Sequence, residues 1–253
     1  MIILMFYSST ALFPAVKPIQ GIQGKILLKT RWGGTKRFSY FNPDHHSPGC
    51  HSMTLAQLAF YHGLIPSGSV SYTSSRGYRI QETFTRDRFD MGRVVNSLMK
   101  DPTEAEIRAT AFYMYAMAVV LRKDFGTDDY MTSPDFHKTQ VEAALGCTYT
   151  PIVFKPLQPA GEFISATPRF REIIAGELDA SRPLGMYYTN FKGSGHAVVV
   201  DGIVEKNGTA YIHANYGWGG KNNGWFPLDH CVPDDSKMLL LITLKPKSIA
   251  GNR

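Results

Sequence analysis

From Gly193 to Asp229 the chain reads GSGHAVVVDGIVEKNGTAYIHANYGWGGKNNGWFPLD, two β-forming runs that a tight turn must join. Ala197 to Val200 is an uninterrupted apolar run behind two glycines, so His196 stands at the mouth of a buried strand. Asp201-Gly202 is expected to begin a turn, and Asn207-Gly208 is a hairpin signal. Thr209 to Ala214 then alternates as a returning strand that brings Asn215 back towards the level of His196. Tyr216-Gly217-Trp218-Gly219-Gly220 puts aromatic surface on a glycine-rich loop, suited to shielding a His–Asn hydrogen bond from water. A lone histidine in such a hairpin is as easily a satisfied polar residue as a base, so a catalytic reading requires a nucleophile elsewhere in the chain.

Cys50 is the candidate. Ser47-Pro48-Gly49 gives way to CHSMTLAQLAFYHG, in which Met53, Ala56 and Phe60 share one helical face and Gly63 and Pro66 end the helix. Apolar residues occur on nearly every side, which predicts a central, buried helix with Cys50 in its first turn. The unsatisfied N–H groups and positive dipole end there favour a thiolate over a thiol. A helix-start Cys, a strand-mouth His and an Asn beyond it are the residue types that activated-thiol acyl transfer uses. Two other readings stand beside it: a small cysteine simply buried in a helix, and a metal cluster of His45, His46, Cys50 and His51. The spacing of that cluster fits no zinc pattern, so neither a metal nor any other cofactor is expected. Cys147 and Cys231 lack helix-start or charged surroundings and are expected to be structural or free thiols.

Gly49-Cys50 opening a helix with Ala56-Gln57 and Tyr61-His62, followed far downstream by GSGHAVVVDG and HANYGWGG, resembles the streptopain family of papain-like cysteine peptidases. The resemblance extends from about Leu27 to about Leu244. It implies that Cys50 is the nucleophile, His196 its base and Asn215 the residue that orients the base, and that the substrate is an extended polypeptide with an apolar side chain near the scissile bond. The fold it implies is α+β, a helical lobe and an antiparallel β lobe with the substrate groove between them.

The chain departs from the family pattern in places. Where the family carries a WGQ-like tripeptide whose Gln donates to the developing oxyanion, this chain reads Trp32-Gly33-Gly34; loss of one such donor costs about 100- to 1,000-fold in rate. Gly34 therefore argues for a slow enzyme, with the Cys50 N–H and Thr35 or a neighbour left as donors. Tyr216 stands where the family has Trp, which keeps an aromatic wall but adds a hydroxyl needing a partner. About two dozen residues precede the matching region, so residues 1–23 are expected to be a leader or a truncated pro-region remnant and 24–253 the catalytic domain. Restraint would then fall to a separate protein inhibitor. The alternative function is a papain-like binding or decoy module whose groove holds a peptide without cutting it.

With 253 residues and 43% hydrophobic content, one large domain or two intimately packed lobes can form. The net charge of +6 permits an anionic partner, yet Arg86, Arg88 and Arg93 are interrupted by Asp87 and Asp90, so nucleic acid is not expected. The apolar runs Ala116–Leu121 and Met238–Thr243 are far short of the ~20 residues of a bilayer span. The resemblance implies secretion, whereas Met1–Phe6 lacks the charged segment of a signal peptide, which leaves the compartment open between secreted and intracellular. Scaffold elements are expected at Ile26–Thr30 (an entering strand), at a capped helix from Asp101-Pro102-Thr103-Glu104 to Leu121, at Ser133–Gly146 and from Thr167-Pro168 (two further helices), and at Leu184–Thr189 and Met238–Leu244 (strands).

Overall fold

The computed structural model describes residues 17–33, 36–133, 137–154, 168–190, 195–233 and 236–247. In chain order its elements are α1 (Cys50–Tyr61), β1 (Gly68–Thr73), β2 (Arg79–Phe84), α2 (Glu104–Val120), α3 (Lys138–Leu145), β3 (Cys147–Phe154), α4 (Pro168–Asp179), β4 (Leu184–Asn190), β5 (Gly195–Lys206), β6 (Thr209–Asn215), β7 (Gly224–Pro227) and β8 (Ser236–Pro246). Strands β3 to β8 form one antiparallel sheet in the order β3-β8-β4-β5-β6-β7, and β1 and β2 pair as a separate hairpin. The fold is α+β, as the sequence implies.

The apolar runs of β5 and β8 are continuous because both faces of the sheet are covered. Val199, Leu240, Ile242 and Leu244 point into a core shared with α1, α2 and α3. Their neighbours Val198, Val200, Leu239 and Leu241 point the other way, against Phe170, Ile174 and Leu178 of α4. Helix α1 is central, with every residue from His51 to Ala59 buried. Its middle lies directly on the sheet: a Cβ added to Gly185 of β4 would meet the Thr54 side chain at 3.1 Å.

Helix α2 begins where its capping signal predicts. The Thr103 hydroxyl accepts the Glu106 N–H at 3.3 Å while the Glu106 carboxylate accepts the Thr103 N–H at 2.7 Å, a reciprocal capping box. Helix α3 starts at Lys138, later than expected; Pro134 of the predicted start lies outside the described residues. The Asn207-Gly208 turn joins β5 to β6 with positive φ at both residues, 51° and 74°, which asparagine and glycine tolerate best.

Two expectations fail. Ile26–Thr30 joins no ladder; the Leu27 N–H bonds the Asp201 carbonyl at 2.9 Å and the Leu28 N–H bonds its carboxylate at 3.1 Å. Asp201-Gly202 does not turn: β5 runs on to Lys206, and the register shifts between Val200 and Gly202. A bulge there frees the Asp201 backbone and side chain to hold the 27–28 segment, so one cause accounts for both errors.

Candidate active site

The N-terminus of α1 is aimed at the start of β5. Gly49 precedes Cys50 with φ of +82°, a left-handed conformation that glycine adopts without strain. A side chain there is also excluded by contact, since a Cβ would stand 2.5 Å from the Tyr130 hydroxyl and 3.2 Å from Lys123 Cε. Cys50 is partly exposed. Burial of its sulfur pushes the thiol up, opposed by backbone N–H groups of Ala197, His51 and Cys50 itself and then by the Lys123 charge. The Ala197 N–H that acts on the sulfur belongs to the residue next to His196, so the start of α1 lies beside the start of β5.

His196 is buried, 6% exposed, and its Nε2 lies 3.0 Å from the Tyr216 backbone carbonyl. A carbonyl only accepts, so Nε2 carries the proton and Nδ1 keeps the lone pair of a base. Burial pushes the imidazole down to about 4, against the raising effect of the Tyr216 carbonyl. The Trp218 ring lies over it at 4.7 Å between centroids and the Tyr216 ring at 5.7 Å. The aromatic loop thus walls in the imidazole, and the hydrogen bond it shields is made to a backbone carbonyl.

Asn215, at the end of β6, is buried close by, but its side chain bonds elsewhere. The amide donates to the Thr30 carbonyl at 2.8 Å, and its oxygen accepts the Gly217 N–H at 3.1 Å. The Tyr216 N–H is held at 2.9 Å by the Asn223 side chain. Two asparagines therefore fix two successive peptide groups, and the carbonyl between them is the one that holds His196. Thr30 extends this network to α1 through its hydroxyl, which donates to Gln57 Oε1 at 2.6 Å. The Tyr216 hydroxyl finds its partner in Tyr188, while burial pushes its own ionisation up to about 12.

Trp32 and Gly33 also reach this loop. The Trp32 carbonyl accepts the Gly219 N–H at 2.8 Å, and Gly33 bridges Trp218 so closely that a Cβ would come within 2.5 Å of the Gly219 nitrogen. Gly34 and Thr35 lie outside the described residues. Among the described residues no group of His, Cys, Asp or Glu side chains is arranged to hold a metal ion, and His46 is instead 3.0 Å from the Tyr78 hydroxyl. Cys147 is buried in the core, its thiol pushed up to about 11 by desolvation and by Glu142.

Thr30, Lys123 and Tyr130 were not legible as site residues, because each reaches the site across a long stretch of chain, and Asn223, seven residues from Tyr216, was not legible because its side chain turns back on its own loop. The one available signal was the second asparagine-glycine pair of the motif region, Asn223-Gly224.

A cysteine opening a buried helix, beside the strand that carries a carbonyl-held histidine, on a six-stranded antiparallel sheet, defines a papain-like cysteine peptidase fold. The chain belongs to the Peptidase C10 family, which it matches over residues 32–226. It is 24% identical to streptopain of Streptococcus pyogenes over 205 residues, 76% of this chain and 48% of streptopain. A shorter match, 46% identical over 65 residues, joins 25% of the chain to 7% of the thiol protease/hemagglutinin PrtT of Porphyromonas gingivalis. The chain thus spans about half the length of streptopain or less of these relatives. Among solved structures, active interpain A cysteine protease of Prevotella intermedia is similar with a TM-score of 0.70 and 21% identity, over 90% of this chain and 98% of that one. A prointerpain A fragment gives a TM-score of 0.66 at 20% identity, over 94% of this chain and 77% of that one.

Proposed function

We propose that this chain is a cysteine endopeptidase in which Cys50 attacks the peptide carbonyl and His196 moves the proton. The single observation that carries the reading is the opening of α1 at Cys50 beside the start of β5, where the Nε2 of His196 is held 3.0 Å from the Tyr216 carbonyl. Burial disfavours charge on either group, so the resting pair is thiol and imidazole. Nδ1 takes the thiol proton as the sulfur adds to the carbonyl carbon, and the charge that develops on oxygen falls near the Cys50 N–H. His196 then returns the proton to the leaving amine, which leaves a thioester on Cys50. Water, deprotonated by the same imidazole, hydrolyses the thioester and regenerates the thiol. Asn215 and Asn223 act through the loop they hold, and Trp218 and Tyr216 keep water from the imidazole.

Gly34 supplies no side-chain donor, so we infer turnover slower than an enzyme with glutamine there. Residues 24–253 act as one catalytic domain on this reading, the substrate is a polypeptide, and restraint by a separate protein inhibitor is compatible with it. Release of fluorogenic peptide or casein fragments that vanishes in Cys50→Ala supports hydrolysis. A parent protein that binds peptide but gives no product at any pH sinks it in favour of the binding module that Gly34 otherwise suggests.

A further inference from the structure

Behind the nucleophile lies a lysine with no carboxylate partner. Helix α2 ends in a paired-bond cap: the Arg122 N–H bonds the Val119 carbonyl at 2.9 Å, the Lys123 N–H bonds the Ala118 carbonyl at 2.9 Å, and Arg122 takes a left-handed φ of 50°. The residue after the left-handed position of such a cap ordinarily packs an apolar side chain back on the helix. Here that residue is Lys123, and it is fully buried, 0% exposed. Lysine is almost never so buried unless its charge is compensated. Its ammonium donates to the carbonyls of Thr127 at 2.7 Å and Asp129 at 2.6 Å and lies 5.0 Å from the centre of the Tyr130 ring. Asp124 is turned to Ser75, bonding its N–H and hydroxyl at 2.7 Å each, and among the described residues no carboxylate is within 4.0 Å of the ammonium. Asp128 and Asp129 are exposed, where water screens them.

The other side of this lysine faces the start of α1. Its Cε and the Tyr130 hydroxyl are what a Gly49 side chain would strike. That hydroxyl in turn accepts the Ser52 N–H at 3.0 Å and lies 3.3 Å from the Pro48 carbonyl, so the 123–130 loop and the nucleophile's turn are one packed unit. Of the groups that act on this ammonium, Cys50 is the one that lies at the start of α1.

We propose that Lys123 is a positioning residue for the peptidase reaction: a buried ammonium, held by two carbonyls and the Tyr130 face, that stabilises the Cys50 thiolate from behind the helix start. This rests on the peptidase reading, in which the thiolate forms. Tyr130, Tyr187 and Tyr188 face Cys50, with its neighbour His51 and, next to Ala197, His196; Asp124, Asp128 and Asp129 face Lys123. Lys123 holds a charge that does not depend on substrate, so its field acts on the free enzyme and acts before acylation.

The rate of Cys50 alkylation by iodoacetamide against pH, read by mass spectrometry, tests this without requiring peptide turnover. In Lys123→Met, which keeps the stem and removes the charge, the acidic limb of the profile moves up by about one pH unit, while Lys123→Arg stays nearer the parent. With peptide, kcat falls several-fold below neutral pH and KM holds within about twofold. A folded Lys123→Met whose profile coincides with the parent overturns the inference, since a merely structural lysine leaves the thiol's ionisation alone. Should the variants not fold, NMR of the lysine ammonium in the parent and in Cys50→Ser decides: a Lys123 signal that titrates with Cys50 supports the coupling, and one indifferent to Cys50 overturns it. Failure of the peptidase reading looks different, as a parent without peptide turnover.

Discussion

In the proposed mechanism His196 owes its competence as a base to one backbone carbonyl, and the side chains that fix that carbonyl are Asn215 and Asn223. Asn223→Ala frees the Tyr216 peptide, and a small misplacement of the base is expected to lower kcat about 10- to 100-fold with KM little changed. Steady-state kinetics on a fluorogenic peptide check this, and a variant that matches the parent places the restraint elsewhere. Gly34→Gln works the opposite way: a restored donor acts mainly on the transition state, so kcat is expected to rise about 10- to 1,000-fold at constant KM. Flat turnover in a variant that still depends on Cys50 means another group already serves the oxyanion. The residue types and the elements that carry Cys50, His196 and Asn215 were readable from the sequence because each sits at the edge of a strongly patterned element. Their partners were not, because whether an asparagine amide turns to an imidazole or to its own loop is decided by Thr30, 185 positions away.

Elements with a regular apolar period were legible, and elements without one were not. Helix α1 and strands β4, β5, β6 and β8 follow their hydrophobic pattern, whereas the β1–β2 hairpin is built from GSVSYT and RIQETF and leaves its first strand exposed or half-buried throughout. Strand β3 contains Pro151, which is tolerated because β3 is an edge of the sheet, and β7 spans only Gly224–Pro227. The turn expected at Asp201-Gly202 is a bulge because its polar groups are taken by Leu27 and Leu28, a demand that local propensity cannot register. The start of α2, by contrast, was fully local. Thr103→Ala removes the cap and is expected to cost about 1 kcal/mol in denaturant unfolding while leaving kcat unchanged. A loss of activity at constant stability contradicts a purely structural α2 terminus.

For the molecule as a whole, the buried histidines set the acid side of stability. Burial holds His196 at about 4 and His51 well below 6.5, whereas both titrate near 6.5 once unfolded. The unfolded chain therefore binds more protons as pH falls from about 6.5 towards 4, and stability is lost across that window, not gained. Between pH 7 and 5 the loss from His196 alone is about 2 kcal/mol, and His51→Gln is expected to flatten the slope that remains. Urea melts at the two pH values measure both, and equal stability at pH 7 and 5 denies that the site is dry and neutral. In the proposed mechanism Cys50, alone of the three cysteines, carries the chemistry. The order in which iodoacetamide labels them in the native protein, followed alongside peptide turnover, tests this. Cys50 is expected to be labelled well ahead of Cys147 and Cys231, with turnover lost in proportion to Cys50 labelled. Labelling of Cys147 or Cys231 first, or turnover that survives complete alkylation of Cys50, contradicts it.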